Sequence, residues 1–239
     1  MRPLLILKTG SALPDVVARR GDFERWITDG LGLDDDNVEV VDVYRDHEPP
    51  APEETAAVVV TGSAAMVTNR ARWSVEAGRW IAEAVDRGVP VLGICYGHQL
   101  MADALGGEVG KNPYGREIGT IEVTLTPEGE EDPLLGVLAP AAEVQSTHVE
   151  SVLVLPPGAR LLATSALDPN QAFAIGPRAW GVQFHPEADA EMIRSYVMGR
   201  RNVIAREGID PDALIEATRD SGAGRRLLRR FAEIAGFSP

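Results

Sequence analysis

The chain has 239 residues, of which 44% are apolar, and a formal net charge of -13. This composition suffices for one sizeable hydrophobic core, and the strong negative charge disfavours nucleic acid and anionic membranes as partners. The single cysteine forms no internal disulfide, and no apolar run approaches the ~18 residues of a membrane span. The apolar run near the N-terminus ends at Lys8, too early for a signal peptide. We therefore expect a cytoplasmic protein.

The first half of the chain alternates between short apolar runs and amphipathic helical patterns. The apolar runs predict strands over residues 3–7, 38–43, 56–60 and 89–94. Helical periodicity predicts helices over residues 22–30, 73–87 and 96–105. The stretch "AAVVV" is apolar throughout, which is typical of a strand covered on both faces. This alternation predicts an α/β fold with a mostly parallel twisted sheet flanked by helices.

The pattern changes from about residue 117. Short apolar segments such as "VESVLVL" and "AWGVQF" are separated by Pro, Gly and Asp, which predicts a small antiparallel β part. After residue 188, helical patterns predict two or three helices that close the chain. We expect the main domain to span residues 1–195, with residues 196–239 forming a C-terminal helical extension packed on the same domain.

The only cysteine lies in "VLGICYGHQL", between two glycines and directly after a buried strand. A residue at a tight strand-to-helix turn projects above the carboxyl edge of the sheet, as in the nucleophile elbow of hydrolases. The unpaired N–H groups and positive dipole end of the helix that follows favour a thiolate at this position. Cys95 is therefore predicted to be a nucleophile rather than a packing residue.

A cysteine nucleophile needs a base, and the strongest candidate is His185 in "GVQFHPE". Pro186 favours an extended conformation at His185, and alternate residues of an extended segment share a face. Glu187 is therefore predicted to orient the His185 ring, which gives the logic of a catalytic triad with a thiol nucleophile. Of the other histidines, we expect His47 to lie on the surface and His98 to support packing.

These motifs together resemble those of class I, triad-type glutamine amidotransferases. "GICYGHQLMADALGG" resembles the nucleophile motif of that family, and "GVQFHPE" its histidine–glutamate motif. "VVVTGSAAMV" resembles the glycine loop after the third strand, and "STHVESV" the stretch that grips the amino-acid end of glutamine. The likeness extends over roughly residues 1–195 and is strongest to stand-alone, GMP-synthase-like members. It implies a flavodoxin-like sheet.

The resemblance also implies roles for individual residues. Cys95 would attack the side-chain amide carbon of glutamine, and the backbone N–H groups of Gly62 and Tyr96 would form the oxyanion hole. His185 would protonate the leaving ammonia and then activate the water that hydrolyses the γ-glutamyl thioester, while Glu187 orients His185. The reaction so implied uses no metal and no organic cofactor.

The resemblance further implies that four residues bind the amino-acid end of the substrate: Gln99, Thr147, Val149 and Glu150. Two departures from the family pattern concern this region. Ala64 and Ala65 stand where the glycine loop usually carries proline, and Val149 replaces a common glycine. A β-branched side chain at position 149 is expected to narrow or reshape the pocket.

Three functions are compatible with these residues. The chain carries no phosphate-binding loop and no pyrophosphatase motif, so the first function is a glutaminase that supplies ammonia to a separate synthetase subunit. The second is a self-sufficient hydrolase of γ-glutamyl amides or peptides. The same triad suits this reaction, because its thioester intermediate is identical to that formed from glutamine and only the leaving amine differs. The third is a non-catalytic binding protein on the same fold.

The predicted last helix carries a basic stripe on an otherwise acidic chain. Its members are Arg225, Arg226, Arg229 and Arg230. The stripe is either a solvated face that pairs with the carboxylates of the chain itself, or a docking surface for an acidic partner or a second copy. The sequence does not decide between these two interpretations, nor does it indicate an oligomeric state.

Overall fold

The computed structural model describes residues 2–238. The strands are β1 (Leu4–Lys8), β2 (Val38–Asp42), β3 (Ala57–Val60), β4 (Val91–Ile94), β5 (Glu108–Lys111), β6 (Glu117–Leu125), β7 (Ala141–His148), β8 (Glu150–Val154), β9 (Arg160–Thr164), β10 (Ala172–Ile175) and β11 (Ala179–Val182). The helices are α1 (Pro14–Arg20), α2 (Phe23–Leu31), α3 (Arg72–Asp86), α4 (Tyr96–Ala104), α5 (Pro127–Glu130), α6 (Ala190–Gly199), α7 (Arg201–Arg206), α8 (Pro211–Ala217) and α9 (Ala223–Ile234).

One large sheet organises this part of the chain, with the strand order β2-β1-β3-β4-β11-β10-β9-β6-β7. β2, β1, β3 and β4 run parallel, as the predicted β-α-β alternation requires. β11, which the sequence analysis assigned to the antiparallel part, also pairs in parallel with β4, so that assignment is corrected. The strands from β10 to β7 continue the sheet in antiparallel pairs, and β5 and β8 form a separate antiparallel pair. The predicted α/β class is confirmed.

The central strands are covered on both faces. Successive side chains of a strand point to opposite faces, so β1 contributes to two hydrophobic clusters. Leu4 and Ile6 pack with residues of α2 and α9, whereas Leu5 and Leu7 pack with residues of α3 and α4. Burial on both faces is the physical reason why this strand reads as continuously apolar in the sequence.

The C-terminal region differs in detail from the prediction of two or three helices. Within residues 2–238 four helices follow residue 188, because Arg200 leaves helical geometry (φ -111, ψ 10) and separates α6 from α7. The sequence analysis also missed α1, although Pro14 at its first turn is a helix-start signal. The expected division at residue 195 stays a prediction, and α6 crosses that position.

Helix α9 buries one face, and of its four arginines three are exposed while Arg230 is half-buried. Leu227 and Phe231 join the same hydrophobic cluster as Leu4 of the central strand. On the opposite face, Arg230 pairs with Glu233 at 2.8 Å. The packing therefore explains the apolar stripe of α9, while the two interpretations of the basic stripe stay open.

No helix formed by residues 2–238 is both long enough and apolar enough to cross a lipid bilayer.

The glycines on either side of Cys95 permit a close approach of α4 to the sheet. A Cβ atom at Gly93 would lie 2.6 Å from the carbonyl carbon and oxygen of Gly97. A Cβ atom at Gly97 would lie 2.5 Å from the carbonyl oxygen of Val60, at the end of β3. Only residues without a side chain fit here, because the neighbouring atoms belong to the backbone and cannot turn aside. The glycine pair thus places the N-terminus of α4 directly on the carboxyl ends of β3 and β4.

We expect Gly97→Ala to lower the free energy of unfolding by about 1–3 kcal/mol, because the new methyl group overpacks the backbone of β3. Urea denaturation of the purified variant measures this change. Gly222→Ala is the matched control, since a Cβ atom there meets only the tip of the Arg226 side chain, at 3.6 Å. Equal destabilisation by both substitutions would contradict the packing argument.

Candidate active site

Cys95 lies between β4 and α4 in a strained backbone conformation. Its φ of 49° and ψ of -98° are rare for a residue with a side chain, and such strain persists only where the surrounding structure enforces it. The residue is 6% exposed and immediately precedes the first turn of α4. Its thiol therefore lies at the positive end of the helix dipole, above the carboxyl edge of the sheet.

The order of the strands brings two further segments to Cys95. β4 lies between β3 and β11, and the three strands are parallel, so the segments that follow them meet at one edge of the sheet. Gly62 follows β3 and His185 follows β11. A Cβ atom at Gly62 would lie 3.0 Å from Cε1 of His185 and 3.8 Å from Cβ of Cys95. The three residues are therefore direct neighbours.

His185 and Glu187 form a buried pair. The Nδ1 atom of His185 lies 2.7 Å from Oε1 of Glu187, and both residues are less than 9% exposed. The backbone of this segment makes a turn, in which the N–H of Ala188 donates to the carbonyl of His185 at 3.2 Å. The sequence analysis expected an extended segment, whereas the carboxylate reaches the ring across this turn.

The electrostatics of the pair favour the protonated ring. Burial alone would lower the pKa of His185, but the Glu187 carboxylate and the Cys95 side chain outweigh burial and raise this pKa well above 6.5. The Nε2 atom of His185 is buried and has no hydrogen-bond partner within residues 2–238. This atom is therefore available to exchange a proton with a thiol or with a substrate.

Two backbone N–H groups lie beside Cys95. Tyr96 is the first residue of α4, so its N–H has no partner within the helix. The carbonyl of Thr61 accepts a hydrogen bond from Oγ1 of Thr9 at 2.9 Å. Because the N–H and C=O of one peptide point in opposite directions, the N–H of Gly62 points away from Thr9. Both groups are suited to stabilise a developing oxyanion.

Ser63 shapes the glycine loop, which lacks the proline common in the resembled family. Its hydroxyl donates to the carbonyl of Thr9 at 2.8 Å and accepts from the N–H of Ala65 at 3.1 Å. A side-chain hydroxyl bound in this way imposes a local turn without proline. Although Ala64 and Ala65 replace the usual proline, the hydrogen bonds of Ser63 hold the glycine loop in a defined turn.

A cavity of about 320 Å³ opens beside Cys95. Its volume lies at the lower end of the range for small-molecule sites. The four predicted substrate-binding residues all line it: Gln99, Thr147, Val149 and Glu150. The cavity thus brings residues 147–150 of "STHVESV" together with the nucleophile, and their role in binding a substrate stays a prediction.

The side chains of Gln99 and Glu150 already make internal hydrogen bonds, so fewer of their polar groups are available to a substrate than the sequence suggested. The amide nitrogen of Gln99 donates to the carbonyl of Glu150 at 2.7 Å and to Oε1 of Gln183 at 3.0 Å, so both of its protons are used. The Glu150 carboxylate accepts from the N–H of Val67 at 3.1 Å and from the hydroxyl of Thr68. Gln99 therefore offers its amide oxygen, and the Glu150 carboxylate holds the neighbouring loop.

Sequence reasoning missed the buried support behind the substrate segment. His148 places its Nε2 atom 3.0 Å from Oε2 of Glu117 and its Nδ1 atom 2.9 Å from the carbonyl of Glu150. Ser165 donates to the other oxygen of Glu117 at 2.6 Å. These contacts fix the backbone from Thr147 to Glu150. The residues come from strands distant in sequence, so no local pattern signals them.

Sequence reasoning also missed two arginines that line the same cavity, Arg116 and Arg200. Arg116 binds both oxygens of Glu207, at 2.7 and 3.0 Å. Arg200 lies in the break between α6 and α7. The Arg116–Glu207 contact and the position of Arg200 both depend on the C-terminal helices, which pack against the site only in the folded chain.

The remaining histidines lie outside the site. His47 is exposed in a loop, as expected. His98 is fully buried with its ring centroid 4.9 Å from that of Phe173, and burial lowers its pKa to about 3, so the ring is neutral at physiological pH. This placement agrees with the expected packing role. No group of three or more His, Cys, Asp or Glu side chains within residues 2–238 is arranged to hold a metal ion.

We expect Glu187→Gln to lower the pKa of His185, because the substitution removes the carboxylate that favours the protonated ring. A raised folded-state pKa adds stability that is complete below the unfolded pKa of ~6.5 and is lost as pH rises through the folded value. The free energy of unfolding of the wild-type protein should therefore fall above pH ~6.5, and this fall should be smaller in the variant.

Histidine NMR titration and urea unfolding between pH ~6 and ~9 measure these two effects. Glu191→Gln is the matched control, because this exposed carboxylate binds Arg20 and not His185. An unchanged His185 titration in Glu187→Gln would contradict the assigned electrostatics.

Comparison with known proteins places the chain in a family. The family model described as glutamine amidotransferase class-I matches residues 20–200. One subunit of the glutamine-hydrolysing GMP synthase of Halobacterium salinarum is 34% identical over 173 residues, which cover 72% of this chain and 87% of that protein. Its counterpart from Natronomonas pharaonis is 46% identical over 104 residues, which cover 43% of this chain and 55% of that protein, about half of its length.

Solved structures share the fold of this chain. A crystal structure of a glutamine amidotransferase from Thermotoga maritima matches with a TM-score of 0.77 and 23% identity, and the match covers 100% of both chains. This identity is low, so the structural likeness concerns the fold alone. The family match over most of the chain goes further, and the chain belongs to the class-I glutamine amidotransferase family.

Proposed function

We propose that the chain hydrolyses the side-chain amide of glutamine and delivers the ammonia to a separate synthetase subunit. The observation that carries this proposal is the strained Cys95 beside the buried His185–Glu187 pair, at the edge where β3, β4 and β11 end. A thiol, a ring with a raised pKa and two free backbone N–H groups in one place are the parts that acyl transfer needs.

In the first half of the reaction, the Cys95 sulfur attacks the δ-carbon of glutamine. The carbonyl oxygen becomes an oxyanion, which the N–H groups of Gly62 and Tyr96 stabilise. The C–N bond then breaks, and His185 donates its proton to the departing amine, which leaves as ammonia. The product on the protein is a γ-glutamyl thioester.

In the second half, water attacks the thioester carbon. His185 accepts a proton from this water, and Glu187 stabilises the resulting positive charge on the ring. The C–S bond breaks, glutamic acid leaves and gives its γ-carboxyl proton to the solvent or to ammonia, and the Cys95 thiolate and protonated His185 are restored. The sum of both halves converts glutamine and water to glutamate and ammonium.

The cavity beside Cys95 would hold the amino-acid end of the substrate. The free amide oxygen of Gln99 is suited to accept a hydrogen bond from the α-amino group. The Thr147 hydroxyl and the backbone at Val149, which belong to residues lining the same cavity, would hold the α-carboxylate. In this arrangement residues 1–195 supply the catalytic groups, and the helices beyond them close one side of the site.

Similarity to proteins named as GMP synthase subunits supports a partner that is a separate synthetase subunit. The nucleophile is a free thiol, and it is the only cysteine of the chain. We therefore place the protein in a compartment where thiols stay reduced, such as the cytoplasm.

A second candidate function is a self-sufficient hydrolysis of γ-glutamyl amides or peptides. Tyr196 and Arg200, which belong to the C-terminal helices, line a small cavity that also touches Cys95 and His185. The leaving amine departs on the His185 side, so these side chains are placed to select it. The thioester intermediate would be the same in both functions.

We expect the purified chain to release ammonia from glutamine under reducing conditions, and Cys95→Ala to lower kcat by roughly 10³-fold or more. Glu187→Gln should lower kcat on the order of 10²- to 10⁴-fold, because the ring loses its orientation, whereas Glu191→Gln should leave it unchanged. These changes in kcat are measured as release of ammonia from glutamine and as release of the amine or amino acid from a panel of γ-glutamyl amides and peptides. A γ-glutamyl compound that turns over far faster than glutamine would favour the second function, and Cys95-independent turnover would contradict both.

A further inference from the structure

Arg200 occupies the point where the two cavities around Cys95 meet. It lines the larger cavity of about 320 Å³ and also the smaller one of about 40 Å³ that touches His185. Its guanidinium lies over the ring of Tyr196, 4.9 Å from the ring centroid, and donates to the hydroxyl of Thr147 at 3.4 Å. The stacking and the break between α6 and α7 hold the side chain in the site.

The Arg200 guanidinium has no carboxylate partner within residues 2–238, although the chain carries 36 Asp and Glu residues. Its neighbours differ in this respect: Arg116 is bound by both oxygens of Glu207, and Arg201 by Asp212 at 2.8 Å. Arg200 is half-buried, and burial lowers its pKa. The Cys95 side chain partly opposes this lowering, but no carboxylate of residues 2–238 binds the guanidinium. A partly desolvated cation without a bound carboxylate is costly, so the site favours binding of an anion.

The chemistry of the cavity points to a carboxylate. A guanidinium offers a planar pair of N–H groups that matches the two oxygens of a carboxylate. The Thr147 hydroxyl lies within reach of the same place and supplies a further polar contact. Every γ-glutamyl substrate carries an α-carboxylate, and a γ-glutamyl peptide carries a second carboxylate on its leaving amine.

We propose that Arg200 is a specificity-determining residue that binds a carboxylate of the substrate. The proposal rests on the proposed function, because it concerns a γ-glutamyl compound bound at Cys95. Arg200 takes no proton and forms no bond in the reaction. It selects substrates that bring a carboxylate to a guanidinium that no carboxylate of residues 2–238 binds.

The test compares four substrates that place carboxylates differently. Glutamine and γ-glutamylmethylamide carry only the α-carboxylate, γ-glutamylglycine carries a second carboxylate on the leaving amine, and the α-amide of glutamine carries none. We expect Arg200→Met to lower kcat/KM by roughly 10- to 100-fold for the carboxylate-bearing substrates, mainly through KM, and to leave the α-amide within about threefold. Arg200→Lys should recover part of the loss.

The pattern of losses identifies the carboxylate. Equal losses for glutamine, γ-glutamylmethylamide and γ-glutamylglycine would assign Arg200 to the α-carboxylate. A loss confined to γ-glutamylglycine would assign it to the leaving group. An equal loss for all four substrates, or no loss for any, would overturn the proposal. Arg206→Met is the matched control, because this exposed arginine on α7 donates to the carbonyl of Asn202 and lines neither cavity.

Two further measurements distinguish substrate binding by Arg200 from an effect on the nucleophile. Alkylation of Cys95 by the neutral reagent iodoacetamide should proceed at the same rate in Arg200→Met, and a slower rate would show that Arg200 acts on the thiolate instead. Calorimetric binding of the four compounds to Cys95→Ala, with and without Arg200→Met, tests recognition without turnover. If the Cys95→Ala protein binds none of them and the wild-type protein hydrolyses none, the proposed function itself fails. If turnover persists and Arg200→Met has no effect, the carboxylate proposal alone fails.

Discussion

The close contact between the first turn of α4 and the ends of β3 and β4 is the constraint on which the site depends. The two glycines that flank Cys95 let backbone meet backbone, and the contact forces Cys95 into a conformation that costs on the order of 1–3 kcal/mol. The buried strands on either side offset this cost through their packing. This contact therefore fixes the thiol at the N-terminal end of α4, beside the carboxyl edge of the sheet.

The order of the strands brings the other groups of the site to Cys95. β4 lies between β3 and β11, so the glycine loop and the histidine turn both end beside Cys95 although they lie far apart in sequence. Behind them, hydrogen bonds rather than apolar contacts set the fine geometry. Ser63 shapes the glycine loop, and the Glu117–His148 pair holds the substrate segment. The rigid sheet brings the groups together, and the buried polar contacts orient them.

The C-terminal helices connect the fold to specificity. They bury apolar residues in the central core, and at the break between α6 and α7 they insert Arg200 into the cavity beside the nucleophile. A family fold alone does not identify a substrate, because function resides in the site. Within residues 2–238 no carboxylate binds Arg200, and this feature of the cavity is the basis of the proposed substrate preference.

The sequence by itself determined the α/β class and the parallel strands of the first half of the chain, because these rest on local patterns of apolar runs and helical periodicity. Flanking glycines and short motifs also predicted Cys95, His185 and Glu187 as the reacting residues. The sequence could not determine that Glu187 reaches His185 across a turn, that the Glu150 carboxylate is taken up by a loop, or that Arg200 enters the cavity. Such contacts join residues distant in sequence, and only the packed chain decides which distant side chains become neighbours and which charges lack a partner.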